Sequence, residues 1–450
     1  MLRKNKVLNI IAGILFLILC GMLLCIVKCN RSADPVQTEG PADVPVDGSW
    51  LLSYDGYTLD QVVILSRHNI RAPLSGGDSL LAKITPHEWF KWSSDPSELS
   101  VRGGILETIM GQYFRKWLEA EGLFPENYHP DPDSVKVYAN SKQRTIATAQ
   151  FFTAGLLPTA GEEIEYGVEF DTMDPVFEPK LTFASDSYVQ DAKAQIEEMF
   201  SEEIDGLADN YRLLTDVIDL HESRAWADGS VSDFSTDDTQ IILELDQEPG
   251  MTGSLKTAFS ASDALILQYY EEEDETAAAF GHDLDRDEWK KISRIRDVYG
   301  DVLFTAPLVA CNVANPLLNE IQSELGTNGR KFTFLCGHDS NIGSILAALD
   351  VEEYDLPDSI EGKTPIGGKL VFSKWMGPDK KEYISADLVY QTTDELRGLI
   401  ILDEYNRPGV CHLRFKDMKT NDAGLYPVEE FEKRIQKALG DYDAIIRDYE

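Results

Sequence analysis

The stretch Gln61–Pro73, QVVILSRHNIRAP, decides the fold of this 450-residue chain. Its first part, Gln61–Ser66, is a short run of apolar and β-branched side chains, which predicts a strand buried on both faces. Two arginines and a histidine follow at once. In open α/β sheets, ligands bind beyond the carboxyl ends of the strands, so polar residues at this place indicate a binding site.

The two arginines on either side of the histidine suit an anion. Arg67 and Arg71 offer planar, paired donors that match phosphate oxygens. A neutral His68 imidazole held between them could attack phosphorus, and Pro73 fixes the turn that follows. The alternative is a surface loop with incidental basic residues, which is disfavoured by the buried strand and by the acidity of the chain.

A second motif follows another apolar run. Lys331–Cys336, KFTFLC, predicts a buried strand, and the sequence GHDS, with His338 and Asp339 at its centre, comes directly after it. A histidine beside an aspartate suits acid–base chemistry, and the start of the predicted helix 341–349 adds backbone donors. Taken alone, this motif also fits an ordinary helix cap.

A third junction of the same kind contains Arg144. It lies between a predicted strand, Val135–Ala139, and a predicted helix, Thr145–Leu157. At that place Arg144 would add a third positive charge to the same edge of the sheet. A solvent-exposed arginine at the start of a helix is an equally good interpretation of this residue alone.

Two other patterns look functional but have the wrong context. The letters GHD recur at Gly281–Asp283, after an Ala-rich, helix-like stretch. Asp283–Asp287 begins like a calcium loop, yet Glu288 stands where such a loop needs Gly and Arg294 where it needs Glu. The histidines show no zinc spacing, and the sequence has no Ser-hydrolase or Gly-rich nucleotide motif. We therefore expect neither a metal nor an organic cofactor.

Strand and helix patterns alternate along most of the chain, which predicts an α/β fold with a mixed, mostly parallel sheet flanked by helices. Further strands are expected at Lys369–Trp375 and Glu382–Gln391. The segment 167–297 is acidic, helical in pattern and poor in strand signals. We expect it to form a smaller helical subdomain inserted into an α/β core of residues 54–166 and 298–450.

The N-terminus carries a candidate membrane anchor. Residues 7–27 form an uncharged, almost wholly apolar run of 21 residues, long enough to cross a bilayer as a helix. A basic tip, 1–6, precedes this run, and a spacer rich in Pro and acidic residues, 28–53, follows it. We expect a single-pass membrane protein with a cytoplasmic tip and an extracytoplasmic body. A cleaved signal peptide, and hence a secreted protein, is the alternative.

Composition narrows the class of partner. The formal net charge is −37 at pH 7, and such a surface repels nucleic acid, which we exclude as a partner. Beyond the apolar run and its flank the cysteines are Cys311, Cys336 and Cys411, too few for a disulfide framework. Cys336 lies in an apolar run and is expected to be a buried, inert thiol. The sequence gives no indication of the oligomeric state.

Together the three junctions resemble the histidine acid phosphatases, the branch of the histidine phosphatase superfamily that includes phytases. The residues that match the family's Arg-His-Gly-x-Arg-x-Pro motif and its distant His-Asp pair are Arg67, His68, Arg71, Pro73, His338 and Asp339. Asn69 replaces the usual Gly, as in the similar periplasmic glucose-1-phosphatases. The stretches YANSKQRTIATAQFF, QEPG and TPIGGK also resemble that subgroup, and the resemblance runs from about Tyr54 to the C-terminus.

The resemblance implies a mechanism that needs no metal. His68 attacks phosphorus and forms a phosphohistidine, Asp339 protonates the leaving group, and water then hydrolyses the intermediate. The groups implied to hold the phosphoryl oxygens are Arg67, Arg71, Arg144 and His338. Because Asp339 must be protonated in the first step, an acidic pH optimum is expected.

The resemblance also implies a small-molecule phosphomonoester as substrate, either a sugar 1-phosphate or phytate (inositol hexakisphosphate). Glu248, in QEPG, matches a glutamate that shapes the substrate entrance in the glucose-1-phosphatase subgroup, and we expect it to restrict bulky polyphosphates. A surface acid before a turn is the alternative for Glu248. The alternatives for the whole protein are a broad acid phosphatase and a surface protein that keeps the fold and binds phosphate ligands without catalysis.

Overall fold

The computed structural model describes residues 51–73 and 79–450. The strands are β1 Thr58–Arg67, β2 Val135–Ala139, β3 Gln240–Ile242, β4 Gly250–Thr252, β5 Phe332–Gly337, β6 Lys369–Met376, β7 Glu382–Tyr390, β8 Gly409–His412 and β9 Tyr426–Pro427. The helices are α1 Val101–Ala120, α2 Gln143–Leu156, α3 Asp186–Asp205, α4 Ala208–Val217, α5 Arg224–Ala227, α6 Ser254–Glu271, α7 Glu275–Ala278, α8 Arg286–Phe304, α9 Pro307–Gly326, α10 Asp339–Ala348, α11 Thr393–Gly398 and α12 Val428–Tyr449, with a 3₁₀ turn at Leu220–Glu222.

Seven strands form the main sheet, in the order β2-β5-β1-β6-β7-β8, with β9 paired to β7. The central strand β1 runs parallel to β5, and β5 runs parallel to β2. In this register Arg67 lies opposite Gly337, and both Ser66 and Ala139 lie opposite Cys336. Since parallel strands end at the same edge, the residues that follow β1, β2 and β5 come together there.

The α/β class and the mixed sheet are confirmed, but the prediction of a mostly parallel sheet is wrong. Two strand pairings of the main sheet are parallel and four are antiparallel. The reason lies in the connections. Residues 377–381, GPDKK, form a tight turn between β6 and β7, and so short a connection joins only antiparallel neighbours.

The core lies on both faces of β1, whose side chains alternate between two apolar clusters. Val62 and Ile64 face the cluster that contains helices α1 and α2, while Val63 and Leu65 face the cluster that contains α9 and α10. Because β1 is buried from both sides, the backbone beyond its end is held in a fixed position.

Between α2 and α9 the chain forms the helices α3 to α8 and a small two-stranded ribbon of β3 and β4. This region, which we call the helical insert, has apolar contacts of its own, such as Tyr269 stacked on Trp289 with ring centroids 4.0 Å apart. Its helical character agrees with the sequence pattern. Helix α8 continues across the expected boundary at residue 297, so the domain limits stay a prediction.

The expected basic tip, the anchor 7–27 and the spacer up to residue 50 lie outside the described residues. Within 51–73 and 79–450, no single helix is long and apolar enough to span a bilayer; α8 and α9 pass that test only as a pair bent by 84°. The three cysteines of this part are free, and Cys336 is fully buried, as the sequence predicts.

Candidate active site

The carboxyl edge of the parallel strands holds the predicted site residues together. The His68 backbone N–H donates to the Gly337 carbonyl over 3.0 Å, and the Asn140 N–H donates to the Cys336 carbonyl over 2.9 Å. These bonds fix the three chain segments against one another just past the strand ends. The His68 and His338 rings consequently lie edge to face, with centroids 5.4 Å apart.

His68 is buried and held in one orientation. Its Nδ1 lies 2.9 Å from the Asn69 carbonyl oxygen. A carbonyl only accepts, so Nδ1 carries the proton and Nε2 keeps its lone pair. Burial, and then the nearby charges of Arg144, His338, Arg67 and Arg71, hold the pKa of His68 well below its usual value. The ring is therefore a neutral imidazole with Nε2 available as a nucleophile.

His338 has the same tautomer as His68, but its Nε2 is already occupied by a hydrogen bond. The Asn140 side-chain amide places Nδ2 2.7 Å from His338 Nε2, while its Oδ1 accepts from the Asp174 N–H over 2.9 Å. Because the amide N–H donates, Nε2 of His338 accepts and its Nδ1 carries the proton. Burial and the charge of Arg144 lower the pKa of His338 well below its ordinary value. His338 is thus a neutral hydrogen-bond donor.

Arg144 is the arginine of this group that has no carboxylate partner within 4 Å in the described part of the chain. Its Nη1 donates to the Ser97 hydroxyl over 2.8 Å. Burial and the neighbouring Arg71 lower the pKa of Arg144 to about 10, so the group remains cationic. A half-buried guanidinium without a carboxylate partner, next to two further arginines, strongly attracts an anion such as a phosphoryl group.

Asp339 is the first residue of α10, and its side chain is 42% exposed. Its Oδ2 lies 3.3 Å from Arg67 and 3.9 Å from Arg296. Although partial burial opposes ionisation, Arg67 and Arg296 hold the pKa of Asp339 well below its ordinary value. Asp339 is therefore ionised in the free protein. The expectation that it is already protonated before the first step has to change accordingly.

Three buried charges at this site escaped the sequence analysis. Arg296 of α8 contacts Glu361 over 2.7 Å and Asp263 of α6 over 3.1 Å. These two carboxylates also contact the phosphate-site arginines: Asp263 pairs with Arg71 over 2.8 Å and Glu361 with Arg67 over 2.9 Å. In the sequence, Asp263 and Arg296 are visible only as charged residues on the apolar faces of α6 and α8. That position does not reveal which residues they pair with.

Asn69, at the position where the related motif has Gly, contacts a buried ion pair. Its Nδ2 donates to Glu107 over 2.7 Å, and Glu107 pairs with Lys369 over 3.0 Å; both side chains of this ion pair are fully buried. Gly367 lies against the same group, and a Cβ there would come within 2.4 Å of the Asn69 amide. The segment after β1 that carries His68 and Asn69, which we call the nucleophile loop, is thus supported by a buried ion pair.

Glu248 lies in the loop between β3 and β4, and its side chain is exposed. Partial desolvation and the nearby Glu178 raise its pKa, and the charges of Arg144 and Asp339 act on it as well. The rejected motif around His282 follows the short helix α7 and no strand. Among the residues 51–73 and 79–450, no cluster of His, Cys, Asp and Glu has the arrangement of a metal site.

A cavity of about 420 Å³ adjoins Asp339 and Arg296. It is lined by seven acidic and three basic residues. The acidic members are Glu203, Asp297, Asp301, Asp339, Asp350, Glu352 and Glu353. On its wall Tyr299 stacks on Phe259 with ring centroids 3.8 Å apart. Of the site residues predicted from the sequence, Asp339 is the one that lines this cavity.

The fold and the paired histidines between arginines define a phosphatase of the histidine type. Comparison with known proteins agrees: the sequence profile of the histidine phosphatase superfamily (branch 2) matches residues 58–386, and the chain belongs to this family.

Two curated relatives and two solved structures illustrate the similarity. A glucose-1-phosphatase of Providencia rettgeri is 38% identical over 389 residues, covering 85% of this chain and 92% of the relative. Phytase AppA of Escherichia coli is 27% identical over 405 residues, covering 84% and 92%. The phytase of Citrobacter braakii superimposes with a TM-score of 0.77 at 26% identity, over 85% of this chain and 98% of that one. The Hafnia alvei phytase in complex with myo-inositol hexakis sulphate gives 0.76 at 26%, over 86% and 98%.

Proposed function

We propose that this protein is a histidine acid phosphatase that hydrolyses phosphomonoesters through a phosphohistidine on His68. The observation that carries the proposal is the neutral His68 ring, whose Nε2 keeps a lone pair beside three arginines. The arginines offset the repulsion between a nucleophile and a phosphate anion, and they stabilise the charge of the transition state.

The reaction has two steps. In the first, Nε2 of His68 forms a bond to phosphorus while the bond from phosphorus to the ester oxygen breaks, and the departing alkoxide takes up a proton. In the second, water attacks phosphorus, the P–N bond breaks, and inorganic phosphate leaves. The groups that hold the phosphoryl oxygens are Arg67, Arg71, Arg144 and the Nδ1–H of His338.

The proton for the leaving group passes through Asp339. Because Arg67 and Arg296 keep this carboxylate ionised in the free protein, the proton arrives with the substrate. A phosphate monoester is a monoanion below its second pKa of about 6, and the bound phosphate raises the pKa of Asp339 by like-charge repulsion. Asp339 thus takes a proton from the substrate and delivers it to the ester oxygen.

We propose that the leaving group extends past Asp339 into the cavity beside it, and this cavity suits a sugar better than phytate. Each further phosphate of phytate would enter a space where seven acidic residues face three basic ones. Carboxylates instead accept hydrogen bonds from hydroxyl groups, and the stacked Tyr299 and Phe259 offer an apolar wall to a sugar ring. The pKa of Asp297 in this cavity is raised to about 7 by burial.

The cellular setting forms a further part of the proposal. The apolar run 7–27 would anchor the protein in the membrane, with the catalytic body outside the cytoplasm. Cleavage of this run would give a secreted enzyme with the same site. Detection of the intact N-terminus by mass spectrometry of the membrane fraction supports the anchor, and a mature N-terminus beyond residue 27 contradicts it.

The direct test measures phosphate release by the full-length protein at pH 5, in EDTA, from glucose 1-phosphate, p-nitrophenyl phosphate and phytate. We expect glucose 1-phosphate to be the best substrate. His68→Ala should abolish release, whereas His282→Ala, in the rejected motif, should leave it unchanged. A well-folded protein that releases no phosphate from any of the three would favour the inactive binding protein. A preference for phytate would refute the sugar phosphate assignment.

A further inference from the structure

Arg296 occupies an unusual position among the buried charges. It belongs to the helical insert, is buried, and lies between two carboxylates, Asp263 and Glu361. Each of these carboxylates has a second arginine partner at the phosphate site, Arg71 for Asp263 and Arg67 for Glu361. Arg296 therefore shares both counter-ions of the nucleophile motif.

The balance of charge shows what this sharing does. The arginines of the group are Arg67, Arg71, Arg144 and Arg296, and the carboxylates in contact with them are Asp263, Glu361 and Asp339. Since His68 and His338 are neutral, four positive charges face three negative ones. Without Arg296, three positive charges would face three negative ones, and the group would have no net charge.

We propose that Arg296 is a positioning residue that keeps the phosphate site net cationic. It acts by drawing Asp263 and Glu361 partly away from Arg71 and Arg67, which leaves donors of these arginines for the phosphoryl oxygens. This inference rests on the proposed phosphate-binding function. It assigns to the helical insert a direct part in phosphate affinity, although the insert contributes none of the residues of the two family motifs.

The hydrogen bonds around Glu361 support this role. Its Oε1 contacts both Arg67 and Arg296, while its Oε2 accepts from the Tyr270 hydroxyl over 3.1 Å and from the Ile366 N–H over 2.9 Å. A carboxylate held from four directions cannot turn to enclose Arg67. The geometry thus fixes how much of its charge each arginine receives.

The test compares phosphate affinity in variants that change the charge count. Arg296→Met should weaken the binding of inorganic phosphate, measured by isothermal titration calorimetry at pH 5, by about 10- to 100-fold, since one unit charge is lost nearby in a medium of intermediate dielectric constant. Arg296→Lys keeps the charge and should bind phosphate more tightly than Arg296→Met. Arg294→Met is the matched control, because Arg294 lies on the same helix in an exposed pair with Glu203, and it should bind phosphate like the wild type.

The decisive variant is the double substitution Asp263→Asn with Arg296→Met, which restores the net charge. It should bind phosphate within about threefold of the wild type, and the KM for p-nitrophenyl phosphate should follow the same order. A purely structural role predicts that the double variant binds at least as weakly as Arg296→Met.

The possible results distinguish a failure of the Arg296 proposal from a failure of the proposed function. If Arg296→Met binds phosphate as tightly as the wild type, or if the double variant binds more than about tenfold more weakly than the wild type, the proposal is overturned. Should Arg296→Met fail to fold, the double variant decides alone, because it also removes the buried carboxylate charge of Asp263 that loses Arg296 as a partner. A folded wild-type protein that binds no phosphate would instead refute the proposed function.

Discussion

The carboxyl edge of the sheet and the helical insert build the site in different ways. At the edge, His68 and His338 directly follow buried strands, and backbone hydrogen bonds to Gly337 and Cys336 lock the strand ends together. In the insert, Asp263 and Arg296 lie within long helices and reach the site through side-chain contacts alone.

Because of this difference, the reaction chemistry depends mainly on the sheet edge and phosphate affinity depends mainly on the insert. The edge provides the reacting groups, which need fixed geometry, and the sheet supplies it. The insert provides charge balance and one wall of the cavity beside Asp339. Substitutions at the edge should therefore lower turnover or stability, whereas substitutions in the insert should change binding and selectivity.

The largest effect among the variants discussed next is expected at the edge, for Asp339→Asn. An asparagine cannot pass a proton to the ester oxygen, so kcat for glucose 1-phosphate should fall by about 10²- to 10⁴-fold. The loss for p-nitrophenyl phosphate should be much smaller, since nitrophenolate leaves as a stable anion. Asp283→Asn, in the rejected motif, is the control. Equal losses on the two substrates would remove Asp339 from the proton transfer.

The buried pair beneath the nucleophile loop should matter for stability. Glu107→Leu leaves Lys369 buried without its partner, which typically costs about 3–5 kcal/mol of unfolding free energy. The double variant Glu107→Leu with Lys369→Met should recover most of that loss. The partly exposed pair Lys116–Glu119 lies on the same helix, and Glu119→Leu should cost at most about 1 kcal/mol. Urea unfolding measures all three, and equal costs would contradict the support role.

The pH dependence of activity tests the protonation state of His68 and the source of the proton that reaches the leaving group. The pKa of His68 is lowered, so its neutral, nucleophilic form persists at pH 4–6 and no loss of activity is expected there. The pKa of Asp339 is also lowered, so the transferred proton comes with the substrate. The value of kcat/KM should then fall by about tenfold per pH unit above the second phosphate pKa of about 6. A flat profile from pH 4 to 9 would rule out this route.

The smallest effect is expected in the insert, for Glu248→Gln. Removal of this charge near the site should shift the ratio of kcat/KM for phytate over glucose 1-phosphate upwards by about two- to fivefold. The exposed Glu244, four residues earlier in the same loop, supplies the control variant Glu244→Gln. An unchanged substrate ratio would remove Glu248 from the selectivity of the site.

The contrast between the sheet edge and the insert also explains which parts of the site can be predicted from the sequence. At the edge, apolar β-branched runs identify β1 and β5, and the residues that follow them form the site. The direction of β6 and β7 was misjudged, because a buried strand has the same apolar pattern in parallel and antiparallel sheets; the GPDKK turn was the available clue. In the insert, Asp263 and Arg296 are charges on apolar stripes, and only the packing of α6 against α8 brings them together.

The central claim, attack by Nε2 of His68, is tested most directly by trapping the intermediate. Wild-type protein would be mixed with p-nitrophenyl phosphate, quenched within milliseconds in alkali, where a phosphohistidine survives, and digested for mass spectrometry. The account predicts one phosphoryl group on the peptide that contains His68, absent from His68→Ala and present in His282→Ala. A protein that turns over substrate without phosphorylated His68, or with the phosphoryl group on another residue, would contradict it.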